Sequence, residues 1–385
     1  MTSHTRLIHP DRDRDPYTGA SSMPIYQLST YHQEDPEHLG RYDYGRSDNP
    51  TREALELAIA QLEGGARGLA FGSGMAAISS TLLLFQPGDH LVVGRDTYGG
   101  TFRILTTIFR QWQLDVTFVD STDLDCLRRA IRPTTRALMV ETPANPLLTI
   151  TDLRQVVAIA REHKLLTITD NTFMTPYLQR PLELGFDIVL HSATKFIGGH
   201  SDLIAGLAVV REEALGRRLR QIQNAFGAIL GPQDSWLALR GLKTLAVRLD
   251  AEQKGAEQIA RWLQTRPEIK QVYYPTLERH PGRAIHLQQA DGGGAVVSFE
   301  LQDGPAAVRL MKRVKLPLVA VSLGGVESIL SYPATMSHAA MPRAERLARG
   351  ITDGLVRLSV GLESPEDLIA DLAQALDAGN QNPLV

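Results

Sequence analysis

The chain holds a single cysteine, Cys126, so an intrachain disulfide is excluded. That suits a reducing compartment, and the cytoplasm is the expected location. Cys126 falls in a helical Asp-Leu-Asp-Cys-Leu-Arg-Arg pattern and reads as a packing residue rather than a nucleophile. Long apolar runs are missing. Nothing approaches the ~20 residues of a membrane-spanning helix, and the polar, charged N-terminus does not read as a signal peptide. No membrane partner is expected. Excess charge of one sign is missing too: 40 Lys and Arg stand against 43 Asp and Glu. A net charge of -3 leaves no basic footprint for nucleic acid. No metal site, internal repeat or low-complexity segment stands out. What is present is ordinary for a globular chain, 43% apolar and 22% charged over 385 residues, enough for two domains and a large core.

Residues 1–46 are rich in Asp, Arg, His, Tyr and Pro and weakly periodic. They read as an extended arm that lies on a neighbouring subunit. Thr51 reads as the N-cap of a helix over 52–63, which Gly64-Gly65 stops. From Arg67 strand and helix alternate. Strands are expected at 68–71, 90–93, 115–119, 137–140, 165–169 and 187–190. Helices are expected at 75–85, from Thr101 to Trp112, and at 123–131 and 152–163. This is the pattern of an open, mostly parallel α/β sheet. In such sheets ligands sit beyond the carboxyl ends of the strands. Gly72-Ser73-Gly74, Tyr98, Asn145, Asp170 and Lys195 all follow expected strands.

Lys195 organises the reading. It lies in Ser192-Ala-Thr-Lys-Phe-Ile-Gly-Gly199, a small polar loop between apolar runs at 188–190 and 203–210. A lysine there is expensive unless its charge is used or lost. Desolvation lowers its pKa, and a neutral amine forms a Schiff base with an aldehyde, which is what pyridoxal phosphate offers. The small residues of Gly72-Ser73-Gly74 between strand and helix suit an anion, although they also serve as a plain tight turn. A helical stretch over 232–264 links to a smaller α+β part. Its expected strands are 269–274, 294–300, 317–322 and 354–360, and its helices are 304–314, 342–349 and 364–378. On the residues alone, Arg357 reads as an edge-strand arginine with its head in water.

Five motifs then converge: Tyr44-x-Arg46-x-x-Asn-Pro-Thr51, Ser73-Gly-Met-Ala-Ala77, Asp170-Asn-Thr172, Ser192-Ala-Thr-Lys-Phe196 and Arg357-Leu-Ser-Val-Gly-Leu-Glu363. Together they resemble the pyridoxal-phosphate-dependent trans-sulfuration enzymes of cysteine and methionine metabolism, from Tyr44 to Leu368. The resemblance implies a fold-type I (aspartate-aminotransferase-like) large domain over 47–246, a small C-terminal domain over 247–385, and an arm over 1–46. It also implies a homotetramer of two active dimers with shared sites.

By resemblance, Lys195, Tyr98 and Asp170 are catalytic. Lys195 carries the cofactor and then moves protons, Asp170 faces the pyridine nitrogen, and Tyr98 stacks on the ring. Ser73, Gly74, Met75, Ser192 and Thr194 form the phosphate cup. Tyr44 and Arg46 reach the phosphate from the neighbouring subunit. Thr172 and Asn145 complete the cofactor site. Asn145, Ser322, Leu323 and Arg357 bind a small amino-acid thioether. The runs 224–233 and 321–338 resemble bacterial cystathionine β-lyases. Val321 stands where many Cγ-acting members carry glutamate, and Gly100 where methionine γ-lyases tend to carry cysteine. The implied activity is a carbon–sulfur lyase performing β-elimination. γ-Lyase, γ-synthase, sulfhydrylase and methionine γ-lyase are alternatives on the same scaffold, with an aminotransferase or a non-catalytic regulator behind them.

Overall fold

Short apolar runs bounded by turn residues become the strands of two sheets. The computed structural model of the chain describes residues 2–10, 15, 17–339 and 341–377. Residues 1, 11–14 and 16 of the expected arm, and 340 and 378–385 of the expected C-terminal part, lie outside them. The first sheet contains β1 (Arg67–Phe71), β2 (His90–Gly94), β3 (Asp115–Val119), β4 (Thr135–Glu141), β5 (Leu166–Asp170), β6 (Ile188–Ser192) and β7 (Gly206–Val210). Their spatial order is β1-β7-β6-β5-β4-β2-β3, and only β7 runs antiparallel to its neighbours. Ile188, Val189 and Leu190 are all buried, as expected of a strand covered on both faces. The second sheet has the order β10-β11-β12-β9-β8. Its strands are β8 (Ile269–Tyr273), β9 (Val296–Leu301), β10 (Leu318–Val319), β11 (Ile329–Ser331) and β12 (Leu355–Ser359).

The segment before the first sheet is not uniformly extended. Ser3–Ile8 forms α1, and Leu7 and Met23 are buried in this chain's own core, while residues 34–41 are exposed. The next helix, α2 (Pro50–Glu63), is capped by Asn49 and not by Thr51. Asn49 Oδ1 accepts from the Thr51 and Arg52 N–H groups at 3.0 and 3.3 Å. The Thr51 hydroxyl turns backward instead. It donates to Pro24 O at 2.7 Å and accepts from Tyr26 N at 2.9 Å, tying the incoming chain to the helix. Gly64 ends α2 in the left-handed region, φ 73°, where lacking a Cβ removes the strain.

Other expected elements change in ways that matter for the site. The helix running to Trp112 breaks at Thr107. The expected strand 317–322 shrinks to Leu318–Val319, which releases Val321 and Ser322 into a loop. The short β11 and the helix Glu213–Phe226 were not expected. The stretch over 232–264 is two helices, Pro232–Lys243 and Leu245–Leu263. The second of these belongs to two cores. Leu245, Ala246 and Leu249 pack with the first sheet's cluster, and Ala256, Ile259, Ala260 and Leu263 with the second sheet's.

Candidate active site

The first sheet delivers its polar residues to one edge. β1 ends at Phe71, and α3 (Gly74–Leu82) starts three residues later with Ser73 as N-cap, its side chain accepting from Ala76 N at 3.0 Å. The first N–H groups of a helix have no partner inside it and carry the positive end of its dipole. Gly74 opens this helix close to Ser192 at the end of β6. A Cβ on Gly74 would lie 3.0 Å from Ser192 Cβ and 3.1 Å from its hydroxyl. Gly206 fits just as closely, because a Cβ there would be 2.0 Å from Ser73 O. The site is thus built on bare backbone where an anion would rest.

Lys195 follows β6 in the expected loop. Its Nζ donates to Ser322 Oγ at 2.6 Å, a contact 127 positions away in sequence. Burial first, and then the nearby Arg357 charge, pull the amine down from 10.5 to about 8. Ser322 itself sits at φ 87°, in the left-handed region, where a non-glycine residue is strained. Two residues on, Gly324 (φ 78°) passes over the lysine's own backbone. A Cβ at that position would fall 2.6 Å from Phe196 N. The Thr194 hydroxyl ties its loop to Ala205, accepting from N at 3.0 Å and donating to O at 3.2 Å.

Arg357 departs from the reading made on residues alone. It lies on β12, a strand flanked by β11 and β9, and is only 3% exposed. Its guanidinium donates to Asn145 Oδ1 at 2.7 Å, Ser322 O at 2.6 Å and Ser331 Oγ at 3.0 Å. Its Nε is buried with no hydrogen-bond partner. Burial lowers the group to about 10, with Glu141 and Tyr98 pulling the other way, so it stays charged at neutral pH. A fixed cation with a spare buried donor suits a bidentate carboxylate.

Asp170 ends β5. Its Oδ1 accepts from Thr172 N at 3.0 Å and Thr172 Oγ1 at 2.5 Å, and the Thr172 hydroxyl in turn accepts from Ser192 N at 2.8 Å. Burial raises its pKa, and the Thr172 bonds pull it back down. Tyr98 is 44% exposed and caps α4 (Gly99–Thr106), with its N–H donating to Glu141 Oε2 at 2.9 Å.

The structure therefore brings together Lys195, Ser322, Arg357 and Asn145 in one hydrogen-bonded chain, and Asp170, Thr172 and Ser192 in another. Ser73 and Gly74 lie against Ser192, and the Met75 sulfur lies toward Gly100 and the Tyr98 ring. Leu323 follows Ser322, but its side chain is buried in the first sheet's core. Tyr44 and Arg46 lie on the surface. Arg46 donates to Asn224 O at 2.5 Å and to its Oδ1 at 2.9 Å, and stacks its guanidinium 5.7 Å from the Tyr44 ring centroid. Among the described residues, no hydrogen bond of Tyr44 or Arg46 reaches the Lys195 loop.

Sequence reading missed Glu141, Ser331 and His338. His338 is buried beside Arg357, Arg349 and Arg346, and burial with those cations lowers it to about 4, so it is neutral. Ser331 and His338 fall inside the run 321–338 but were given no role there, and Glu141 sits in no motif. Glu141 looks like the polar end of a strand, and Ser331 belongs to a strand too short to read.

Comparison with known proteins agrees along the whole chain. A family model for Cys/Met metabolism PLP-dependent enzymes matches residues 4–377. The chain is 57% identical to cystathionine beta-lyase MetC of Bacillus subtilis (strain 168) over 375 residues, 97% of this chain and 96% of that one. It is 48% identical to cystathionine gamma-lyase of the same organism, over 98% of this chain and 100% of that one. The solved cystathionine gamma-lyase of Lactobacillus plantarum, complexed with L-serine, superposes with a TM-score of 0.95 at 46% identity, covering 98% of this chain and 99% of that chain. With the α/β fold, the lowered lysine and the buried arginine already in place, these matches establish that the chain belongs to the Cys/Met metabolism family of PLP-dependent enzymes.

Proposed function

We propose that this enzyme is a carbon–sulfur lyase that cleaves L-cystathionine between Cβ and sulfur, giving homocysteine, pyruvate and ammonia. The observation that carries the reading is the Lys195–Ser322–Arg357 arrangement. A lysine with its amine near 8 bonds the hydroxyl of Ser322, whose backbone carbonyl is held by a buried, partly unpartnered arginine.

The residues fit pyridoxal phosphate. Gly74 and Gly206 leave a cradle that a Cβ would fill, at a helix N-terminus. Ser73, Gly74 and Met75, with Ser192 and Thr194, would hold the phosphate. Asp170 and Thr172 would hold the ring nitrogen, Asn145 would lie at the ring hydroxyl, and Tyr98 would cover the face. When bound, the cofactor supplies an aldehyde for an amine and a ring that accepts an electron pair from Cα.

The chain's own residues do the remainder. Arg357, with Asn145, Ser322 and Leu323 alongside, orients the substrate through its α-carboxylate. Lys195, neutral in half of the molecules near pH 8, takes the Cα proton. The Ser322 hydroxyl gives the amine a resting place at 2.6 Å. The Tyr98 hydroxyl returns a proton to the departing sulfur. Val321, 65% exposed, makes the rim apolar and offers no charge to a distal ammonium.

The same reading extends to assembly and location. The chain works in the cytoplasm as a homotetramer of two active dimers. Residues 1–46 serve as the arm, 47–246 as the cofactor-holding domain and 247–385 as the small domain. Tyr44 and Arg46 complete a neighbour's phosphate site, and their surface position supports this. Mixing Tyr44→Phe protomers with Lys195→Ala protomers should restore part of the activity, and no restoration would end the shared-site reading.

Product analysis with L-cystathionine tests the central proposal. Homocysteine plus pyruvate is the expected result. Cysteine plus 2-oxobutyrate would replace it with γ-elimination, the activity named for the B. subtilis relative at 48% identity. Neither product would remove cystathionine as the substrate.

A further inference from the structure

Glu141 carries more of the site's geometry than any motif residue beside it. It is the last residue of β4, paired in register with Asp170 on β5. Its two oxygens go to two different loops. Oε2 accepts from Tyr98 N at 2.9 Å, and Oε1 accepts from Asn145 N at 3.2 Å. Asn145 in turn receives Arg357 at 2.7 Å. One carboxylate thus sits between the residue read as covering the ring and the pair read as gripping the substrate carboxylate.

Glu141 is buried next to another buried carboxylate, Asp170, with Asp96 also nearby. Burial first and then Asp170 push its pKa well up. Arg357 is the cation that feels it. Two buried carboxyls this close do not readily ionise together, and groups so perturbed cluster at functional sites.

The Tyr98 ring needs this tie. The ring is 44% exposed, so packing alone does not fix it. It lies against bare backbone: a Cβ on Gly100 would be 2.4 Å from Tyr98 Cε1 and 2.7 Å from the Met75 sulfur. The neighbouring Gly99 is also closely approached, since a Cβ there would be 2.8 Å from Ser337 O. The anchor that sets the Tyr98 backbone is the Glu141 side chain, placed at the N-terminus of α4.

We propose that Glu141 is a positioning residue for the elimination: its carboxylate fixes the spacing between Tyr98 on one side and the Asn145–Arg357 grip on the other. The inference rests on the reading that Tyr98, Asn145 and Arg357 face cofactor and substrate. A displacement of about 1 Å in such groups costs on the order of 10²-fold in rate. Glu141→Ala, losing both anchors, lowers kcat/KM by about that factor. Glu141→Gln keeps one acceptor and loses about tenfold.

The test uses the holoenzyme. Cofactor content, visible circular dichroism of the bound cofactor, and a double-mutant cycle with Tyr98→Phe are measured for the wild type, Glu141→Gln and Glu141→Ala. The expected result is one cofactor per chain throughout, since the phosphate cup is untouched, with a weakened visible dichroic band in both Glu141 variants. The loss caused by Tyr98→Phe should shrink at least fivefold once Glu141 is replaced, because a misplaced tyrosine has little left to lose. If Glu141→Ala does not fold, Glu141→Gln carries the same comparison. An additive cycle with an unchanged dichroic band would overturn the proposal and leave Glu141 a structural residue. A wild type indifferent to Tyr98→Phe would overturn the site reading beneath it, and this inference with it.

Discussion

The floor and the rim of the site are built on opposite terms. The floor holds Lys195, Asp170, Asn145, Arg357 and Ser322, which are joined by hydrogen bonds of 2.5–3.0 Å to one another or, for Asp170, to Thr172. The rim holds Tyr98 at 44% exposure and Val321 at 65%, with Tyr44 and Arg46 further out on the surface. Groups on the floor are desolvated, so each charge there is strong and each loss is large. Charges on the rim stand in water, where they are screened and their substitution is mild. On the proposed reading, the common chemistry belongs to the floor with Tyr98 above it, and the choice among substrates to the rest of the rim.

The strongest way to break this contrast is to empty the floor. Lys195→Ala should lower pyruvate release by on the order of 10⁴-fold. It should also abolish cofactor fixation by borohydride at that position, read by peptide mapping. Activity that survives within tenfold would move the proton transfer elsewhere. Next in size is Arg357→Ala, which leaves Asn145 Oδ1 and Ser322 O without their cation. Loss of a charged hydrogen bond of about 1.5–3 kcal/mol predicts a drop in kcat/KM of roughly 10- to 150-fold. That drop should fall mainly on KM for substrates that carry an α-carboxylate.

A smaller effect is a pH dependence of stability. The Lys195 amine sits near 8 in the folded chain and near 10.5 when unfolded. Between those values the unfolded apoprotein holds a proton that the folded one lacks. The penalty for burying this charged amine is therefore present in full below about 8 and is relieved as pH climbs toward 10.5, so stability rises over that window. Thermal unfolding of the apoprotein should show that rise, and Lys195→Met should flatten it. The smallest effect belongs to the rim. Val321→Glu offers a carboxylate to a distal ammonium in water, worth about 0.2–1 kcal/mol. Selectivity for cystathionine over an uncharged thioether should move fivefold at most, and a hundredfold change would mean the rim is drier than its exposure indicates.

The same division explains what could be read from sequence. Lys195 was legible because strand, polar loop and strand follow one another locally, Asp170 because it closes a strand, and Gly74 because it opens the helix that follows one. Arg357 was misread because an alternating strand pattern does not tell an edge from a centre, and its neighbours, β11 and β9, come from elsewhere in the chain. Glu141 was missed for a related reason: its meaning lies in two N–H groups, of which Tyr98's is 43 positions away. The Thr51 cap failed because Asn49 competes for the same role two residues earlier and wins, while Thr51 finds Pro24. Short elements such as β11, three residues long, carry too little pattern to be seen.

The helix Leu245–Leu263 has a consequence for how the molecule comes apart. Its first turns are buried with one sheet and its last turns with the other. It therefore acts as a beam clamped at both ends, and neither sheet can lose its packing without loosening the helix that the other one needs. Unfolding is coupled across the chain, and the amides along the middle of this beam should be among the last to exchange with deuterated water.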